Sequence, residues 1–145
     1  MVRINLIEPW RLSDQHLVAE YNEILMLLGY VRKHALAKTK APDNYCLGKG
    51  HVVFFRDKLG YIKKRHEALK KEMKARGFRP IKSADLKGLG PANDWKPCKN
   101  DGALIRKRLA DKIRKKPGFY RYYGKKKPEK FFTGLLNRLY KPRRI

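Results

Sequence analysis

Residues 13–37, SDQHLVAEYNEILMLLGYVRKHALA, contain the clearest periodic pattern of apolar residues in the sequence. Apolar side chains return along this stretch at alternating intervals of four and three residues, which is the period of one helix face. Ser13 is a suitable N-cap, and Asp14 in the first turn complements the helix dipole. The stretch therefore predicts one long amphipathic helix. Its apolar stripe consists of Leu17, Tyr21, Ile24, Leu28, Val31 and Ala35.

The same period returns in three further segments. Residues 51–76 predict a second long helix that ends at Gly77, with His66 on its apolar stripe as a core histidine. Residues 103–116 predict a third helix, and residues 128–140 predict a short amphipathic one. Alternation typical of a β-strand never extends over more than a few residues. The pattern therefore predicts an all-α fold.

Segments rich in Gly, Pro, Asn and Asp separate the predicted helices. They cover residues 38–50 and 79–101 and are typical of loops. At the end of the first loop, Gly48-Lys49-Gly50 can either start the second helix or approach a phosphate group. We expect a single compact domain of about three main helices in residues 1–125, followed by a basic amphipathic extension in residues 126–145.

The net charge limits the partners that the protein can have. The 145 residues include 37 Lys and Arg against 13 Asp and Glu, which is a net charge of +24. A surface this basic repels itself unless a polyanion neutralises it, and nucleic acid is the commonest such partner. With 42% hydrophobic and 11% aromatic residues, the chain can still bury a core, unlike a disordered basic tail. The composition favours a folded nucleic-acid-binding protein over a membrane-surface protein.

Several other classes of protein are disfavoured. The longest apolar run, residues 24–28, is far shorter than the ~20 residues that span a bilayer. The first thirty residues lack the layout of a signal peptide. Cys46 and Cys98 lie too far apart in sequence to suggest a structural zinc site or a disulfide framework. We therefore expect a reducing intracellular location, no membrane partner and no metal.

Few side chains are available for acid–base chemistry. Most of the 13 carboxylates lie beside Lys or Arg on predicted helices, or in loops. Glu20 and Glu23 differ, because they share one strip of the first helix with His16 and His34. Two interpretations stay open here. Glu23 can be a solvated helix residue or a catalytic one, and His16 with Glu20 has a spacing that also allows metal ligation.

Several sequence clusters resemble one known family, in the same order along the chain. That family is the phage-type endonuclease V family of pyrimidine-dimer DNA glycosylases with abasic-site lyase activity. The resemblance runs from residue 1 to about 125, apart from the loop at 79–101. The clusters are MVRINL (1–6), DQHL (14–17), AEY (19–21) with Glu23, VRKH (31–34), LGKGHV (47–52), FF (54–55), DKL (57–59), KR (64–65), RGF (76–78), RL (108–109), DKI (111–113) and PGFYRYYGK (117–125).

The resemblance implies a DNA repair reaction that needs neither metal nor cofactor. In that family, removal of the initiator Met exposes an α-amine that attacks C1′ of the damaged nucleotide. The attack expels the base and leaves an iminium, after which β-elimination cuts the strand. An α-amine has a pKa of ~8, so much of it is already nucleophilic near pH 7. Carried over to this chain, the nucleophile is the α-amine of Val2, and Glu23 is the catalytic carboxylate.

The resemblance also implies a DNA-binding surface for damaged double-stranded DNA, used by a monomer in the cytoplasm or at the nucleoid. Asn22 and Met26 stand on this surface where the family commonly has arginines. Phe119 stands where the family has tryptophan, and it can either stack on bases or pack in the core. The other implied DNA-binding residues are Arg3, Gln15, His16, Lys33, Arg108, Lys112 and Arg121.

A non-catalytic alternative stays open. A basic helical protein that only binds nucleic acid, for example in association with the ribosome, would have the same composition. The N-terminal amine and Glu23 distinguish the two interpretations. A binding protein tolerates an extra residue ahead of Val2, whereas the enzyme loses its nucleophile.

Overall fold

The computed structural model describes residues 3–34, 40–48 and 50–141. Over these residues the fold is helical and includes one small β-hairpin, so the prediction of an all-α fold is confirmed. The elements are a 3₁₀ turn at Pro9–Arg11, α1 at Asp14–Lys33, α2 at His51–Phe55, α3 at Leu59–Ala75, α4 at Lys99–Lys115, β1 at Arg121–Tyr122, β2 at Lys125–Lys126 and α5 at Glu129–Leu136. Within the described residues, no helix combines the length and apolar character that crossing a membrane requires.

Helix α1 is the helix that the stretch at 13–37 predicts. Ser13 is its N-cap, and the Ser13 hydroxyl oxygen accepts a hydrogen bond from the backbone N–H of His16 at 3.1 Å. The predicted apolar stripe is buried from Leu17 to Val31. The helix ends at Lys33, and the predicted last residues, 35–37, lie outside the described residues.

The prediction of one continuous helix over residues 51–76 is wrong, because the chain breaks at residues 56–58 into α2 and α3. The loop before α4 hydrogen-bonds to the backbone just after this break. The backbone N–H of Tyr61 donates to the carbonyl of Asn93 at 3.2 Å, so the loop satisfies a donor that a preceding turn would normally satisfy. Gly60 permits the approach, since a Cβ there would lie 2.3 Å from the carbonyl oxygen of Ala92.

Other predicted helix ends agree with the structure to different degrees. Gly77 has a φ of +90° and ends α3 as predicted. Helix α4 begins at Lys99, four residues before the predicted start at residue 103. The earlier start comes from a capping box, in which the backbone N–H of Cys98 donates to the Asp101 carboxylate at 2.9 Å. Gly50 is the N-cap of α2 with a φ of +94°, which favours a helix start over a phosphate contact.

Helices α1 and α3 pack against each other through both apolar and charged side chains. The ring of His66 stacks on Tyr21 with centroids 4.9 Å apart, and its Nε2 lies 3.1 Å from the Tyr21 carbonyl. His66 is therefore the core histidine that the sequence predicts. Beside it, Arg65 forms a buried pair with Glu20. This packing turns the opposite face of α1 outward.

The segment after α4 is held against the start of α1. Tyr123 and Gly124 form the hairpin turn with φ values of 52° and 79°, which is the pattern of a type I′ turn. The Asp14 carboxylate accepts hydrogen bonds from the backbone N–H groups of both residues, at 3.1 and 2.8 Å. It also binds Arg76 at 3.0 Å. These contacts of Asp14 hold residues 119–126 beside the first turn of α1.

Helix α5 covers residues 129–136, a shorter span than the predicted 128–140. Phe132 is buried in the core that α5 shares with α4. Arg11 donates from one guanidinium nitrogen to the carbonyls of Leu135 and Leu136, each at 3.1 Å, and so caps the C-terminal end of α5. The extension is therefore packed on the rest of the fold. The division at residue 125 stays a prediction.

Candidate active site

A pocket of about 280 Å³ lies between the N-terminal segment, α1 and α4. It contains five of the residues that the sequence singles out, namely Arg3, His16, Glu23, Arg108 and Lys112. These residues come from three separate parts of the chain. The full lining consists of Arg3, Asn5, His16, Ala19, Glu23, Arg108, Lys112, Lys115, Lys116 and Tyr120.

Helical spacing explains why two of the walls carry functional side chains. On α4, Arg108, Lys112 and Lys115 follow at intervals of four and three residues, so they share one face. The adjoining face of α4 carries Ile105 and Leu109, which are buried in the core. The amphipathic pattern of α4 thus turns a row of cations toward the pocket. A second pocket of about 330 Å³ adjoins the first and shares the same three cations.

Glu23 is the carboxyl group of the pocket, and its surroundings raise its pKa. Partial burial, together with the negative charge of Glu20 one turn earlier, raises its pKa to about 7. Arg108 and Arg3 oppose this shift. A carboxyl with a pKa near the working pH can both accept and donate a proton. Glu23 therefore has the properties of an acid–base residue.

Glu20 occupies a different environment from Glu23, although both lie on α1. Its side chain is fully buried, and its two oxygens accept hydrogen bonds from Arg65 at 2.6 and 2.9 Å. A further nitrogen of Arg65 binds the carbonyl of Ile7. This bidentate pair makes Glu20 a structural residue. Among the described residues, no three His, Cys, Asp or Glu side chains are grouped to hold a metal ion.

His16 is neutral in its pocket. Burial lowers its pKa to about 4, and the charges of Arg108 and Lys112 act in the same direction. The Ser13 hydroxyl accepts from the backbone N–H of His16 and lies 3.0 Å from Nδ1, so its own hydrogen can be donated to that atom. The ring then carries its proton on Nε2. It stacks on Tyr120 with centroids 4.8 Å apart.

Gln15 holds the aromatic segment after α4 in place. Its side-chain nitrogen donates to the carbonyl of Phe119 at 2.9 Å, and its side-chain oxygen accepts from the backbone N–H of Arg121 at 3.0 Å. The ring of Phe119 is about half exposed, which differs from the core packing that the sequence left open. Arg121 is exposed as well. A DNA contact by each of these three residues stays a prediction.

The remaining predicted residues lie outside the pocket. The side chain of Asn22 is exposed on α1 and donates to the carbonyl of Val18 at 3.2 Å. Met26 follows on the same helix, is 57% exposed and presents an apolar surface to solvent. Lys33 is exposed at the end of α1. Val2, the predicted nucleophile, lies outside the described residues.

Sequence reasoning missed several residues of the pocket. Lys115 continues the helical spacing of Arg108 and Lys112 and could have been found from it. Asn5 carries no such signal, since its position depends on how the N-terminal segment packs. It is 3% exposed, and its side-chain oxygen has no hydrogen-bond partner among the described residues. An unsatisfied buried carbonyl in a pocket is suited to a bound ligand or water.

A comparison with known protein families identifies the family of the chain. A model of the family described as pyrimidine dimer DNA glycosylase matches residues 1–86, which include Arg3, His16 and Glu23. By class, the chain is therefore a DNA repair glycosylase, whose substrate is damaged DNA. More particularly, it belongs to the pyrimidine dimer DNA glycosylase family. Helix α4 and its cations lie beyond the matched residues.

Proposed function

We propose that this protein excises pyrimidine dimers from duplex DNA and then nicks the strand as an abasic-site lyase, acting as a monomer. The α-amine of Val2, freed by removal of Met1, attacks C1′ of the damaged nucleotide. The C1′–N glycosylic bond breaks, and the base leaves with its electron pair. The attacking nitrogen loses a proton, and the C1′–O4′ bond of the sugar then breaks while O4′ takes up a proton, which gives an open-chain iminium. This iminium acidifies C2′–H. Loss of that proton expels the 3′ phosphate by β-elimination, and water then releases the amine.

The observation that carries this proposal is the position of Glu23 among the cations of the pocket. Its pKa of about 7 lets the ionised carboxylate stabilise the iminium cation and take the C2′ proton. The same group, once protonated, can return a proton to a leaving oxygen or base. An amine nucleophile with a nearby acid–base group accounts for both steps. The proposed reaction uses only catalytic groups that belong to the chain itself.

The cations around Glu23 provide the binding surface. Arg3, Arg108, Lys112, Lys115 and Lys116 converge on the pocket, and phosphate groups of DNA are their natural partners. Arg108 is half-buried, and its pKa is lowered first by burial and then by the positive charge of Arg3. A bound phosphate would reduce the repulsion between these two guanidinium groups. Phe119 lies at the edge of this surface with an exposed ring that can stack on bases.

The test is to trap the iminium with borohydride on three duplexes. One carries a thymine dimer, one an abasic site, and one no lesion. The untagged protein is first checked by mass spectrometry for loss of Met1. We expect a covalent adduct on the dimer and abasic duplexes, and about 10²- to 10⁴-fold slower strand cleavage by Glu23→Gln. Glu67→Gln, at an exposed glutamate of α3, is the matched control and should cleave normally.

Each result has a defined meaning. An adduct on the abasic duplex alone would keep the lyase and reject the dimer as substrate, which would direct attention to Asn22 and Met26. The absence of any adduct, with Met1 removed, would contradict the proposal. In that case the chain would act on nucleic acid by binding alone.

A further inference from the structure

We infer that His51 and Tyr45 are positioning residues that clamp the N-terminal segment and so aim its α-amine at the substrate. This inference rests on the proposed function, because it presupposes that the amine at Val2 is the nucleophile. It concerns two residues outside the pocket, neither of which contacts the reacting atoms.

The two side chains hold both backbone polar groups of one residue, Ile4. The N–H of Ile4 donates to Nε2 of His51 at 2.9 Å. The carbonyl of Ile4 accepts from the Tyr45 hydroxyl at 2.9 Å. The side chain of Ile4 is itself fully buried. Both bonds bridge more than 40 residues of sequence, so they are tertiary contacts and not part of a helix or a sheet.

His51 is held in the one tautomer that can make this contact. Its Nδ1 lies 2.7 Å from the carbonyl of Cys46, an acceptor, so Nδ1 carries the proton and Nε2 is free to accept. Its ring is 1% exposed and meets Tyr45 and Phe55 edge to face at 5.3 and 5.5 Å. Burial lowers the pKa of His51 to about 4, which keeps the ring neutral.

The clamp lies close enough to the N-terminus to matter for the reaction. The amine of Val2 lies two residue lengths along the chain from the Ile4 nitrogen, so the two nitrogens can be at most about 7 Å apart. Arg3 and Asn5, on either side of Ile4, both line the pocket with Glu23. A nucleophile at a chain terminus lacks a helix or strand to orient it, and a misplacement of about 1 Å can cost ~100-fold in rate. Fixing Ile4 reduces that freedom.

The first test compares two Tyr→Phe variants. Tyr45→Phe removes the hydroxyl that binds Ile4, and Tyr122→Phe removes a hydroxyl that binds the carbonyl of Trp10 at 2.8 Å. Each variant loses one hydrogen bond from a buried tyrosine to a backbone carbonyl, so their melting temperatures should fall by similar amounts. We expect Tyr45→Phe to trap the iminium on an abasic duplex about tenfold more slowly. Its Kd for the duplex, and the trapping rate of Tyr122→Phe, should stay unchanged.

The second test uses the two amides that mimic the two nitrogens of histidine. His51→Gln places an acceptor near the position of Nε2 and can keep the bond to Ile4. His51→Asn keeps the donor to Cys46 and loses the bond to Ile4. We therefore expect faster trapping by the Gln variant than by the Asn variant. Equal rates would assign His51 to packing alone.

The remaining outcomes also decide the question. If Tyr45→Phe traps the iminium at the wild-type rate, the clamp is overturned and the proposed function stays intact. Parallel loss of trapping and DNA binding, or equal slowing in Tyr122→Phe, would overturn it in favour of a general structural role. Failure of the wild-type protein itself to form an adduct would reject the proposed function, and the clamp with it.

Discussion

The face of α1 that packs on α3 and the face that lines the pocket balance their charges in different ways. On the first face, Glu20 is paired with Arg65, and at the start of the helix Asp14 is paired with Arg76. All four side chains are buried or nearly so. On the second face, Glu23 lies among several cations that converge from the N-terminal segment and from α4.

The difference separates charges that hold the fold from charges that serve the reaction. A buried ion pair satisfies itself, and its loss leaves an uncompensated charge in the core. The pocket instead holds an excess of positive charge that only an anionic partner can balance. Two carboxyl groups one turn apart on the same helix thus have different roles, set by what surrounds each of them.

Breaking the buried pair should have the largest effect on stability. Arg65→Leu leaves the Glu20 carboxyl buried without its bidentate partner, which should lower the free energy of unfolding by about 3–5 kcal/mol. Urea unfolding followed by circular dichroism measures this change. The control is Lys64→Ala, which removes an exposed bridge to Asp94 at 2.7 Å and should cost less than about 1 kcal/mol. Similar losses in both variants would contradict the structural role given to Glu20.

Removing a pocket cation should affect DNA binding and leave stability nearly unchanged. Lys112→Ala should make the negative slope of log K against log salt concentration shallower by about 0.9, because one phosphate contact is lost. Fluorescence anisotropy of a labelled duplex, titrated at several salt concentrations, measures the slope. Lys63→Ala, at an exposed lysine of α3, removes the same charge outside the pocket. If both variants make the slope shallower by the same amount, DNA binding is not localised to the pocket.

The smallest expected effect concerns the cost of placing Glu23 in its pocket. Its pKa of about 7 exceeds the ~4.3 of an unfolded chain, so the folded state is penalised once the carboxyl ionises. Stability associated with the protonated group is present at low pH and is lost as the pH rises through 7. Glu23→Gln should therefore gain stability over wild type between pH 5 and 8. After discounting for the half-exposed position, the gain is about 1 kcal/mol.

Urea unfolding of both proteins at pH 5 and pH 8 measures this difference. Glu67→Gln controls for the removal of one negative charge from a basic protein. A Glu23→Gln variant that is no more stable than wild type at pH 8 would show that the pKa of Glu23 is not raised.

The sequence predicts the parts of this molecule that depend on local periodicity. The N-cap at Ser13, the stripe from Leu17 to Val31 and the core role of His66 all follow from residues close together in the chain. The break between α2 and α3 does not, because the backbone just after it bonds to a loop about 30 residues later that approaches Gly60. Helical spacing does not reflect contacts with distant segments, so the sequence predicts one continuous helix over residues 51–76.

The candidate site shows the same limit. Glu23 and His16 are recognisable from one helix strip, and Arg108 and Lys112 from the resemblance. Asn5 and the His51–Ile4 bond depend on how the N-terminal segment packs against distant elements. No pattern in the sequence predicts those contacts.

The proposed reaction depends above all on the α-amine of Val2 as the nucleophile. The most direct measurement is to trap the protein on an abasic duplex with borohydride, digest it, and locate the sugar adduct by mass spectrometry. We expect an adduct on the α-amine of residue 2, and none when one extra residue precedes Val2. An adduct on a lysine side chain, or one that persists on the extended chain with Val2 unmodified, would contradict it.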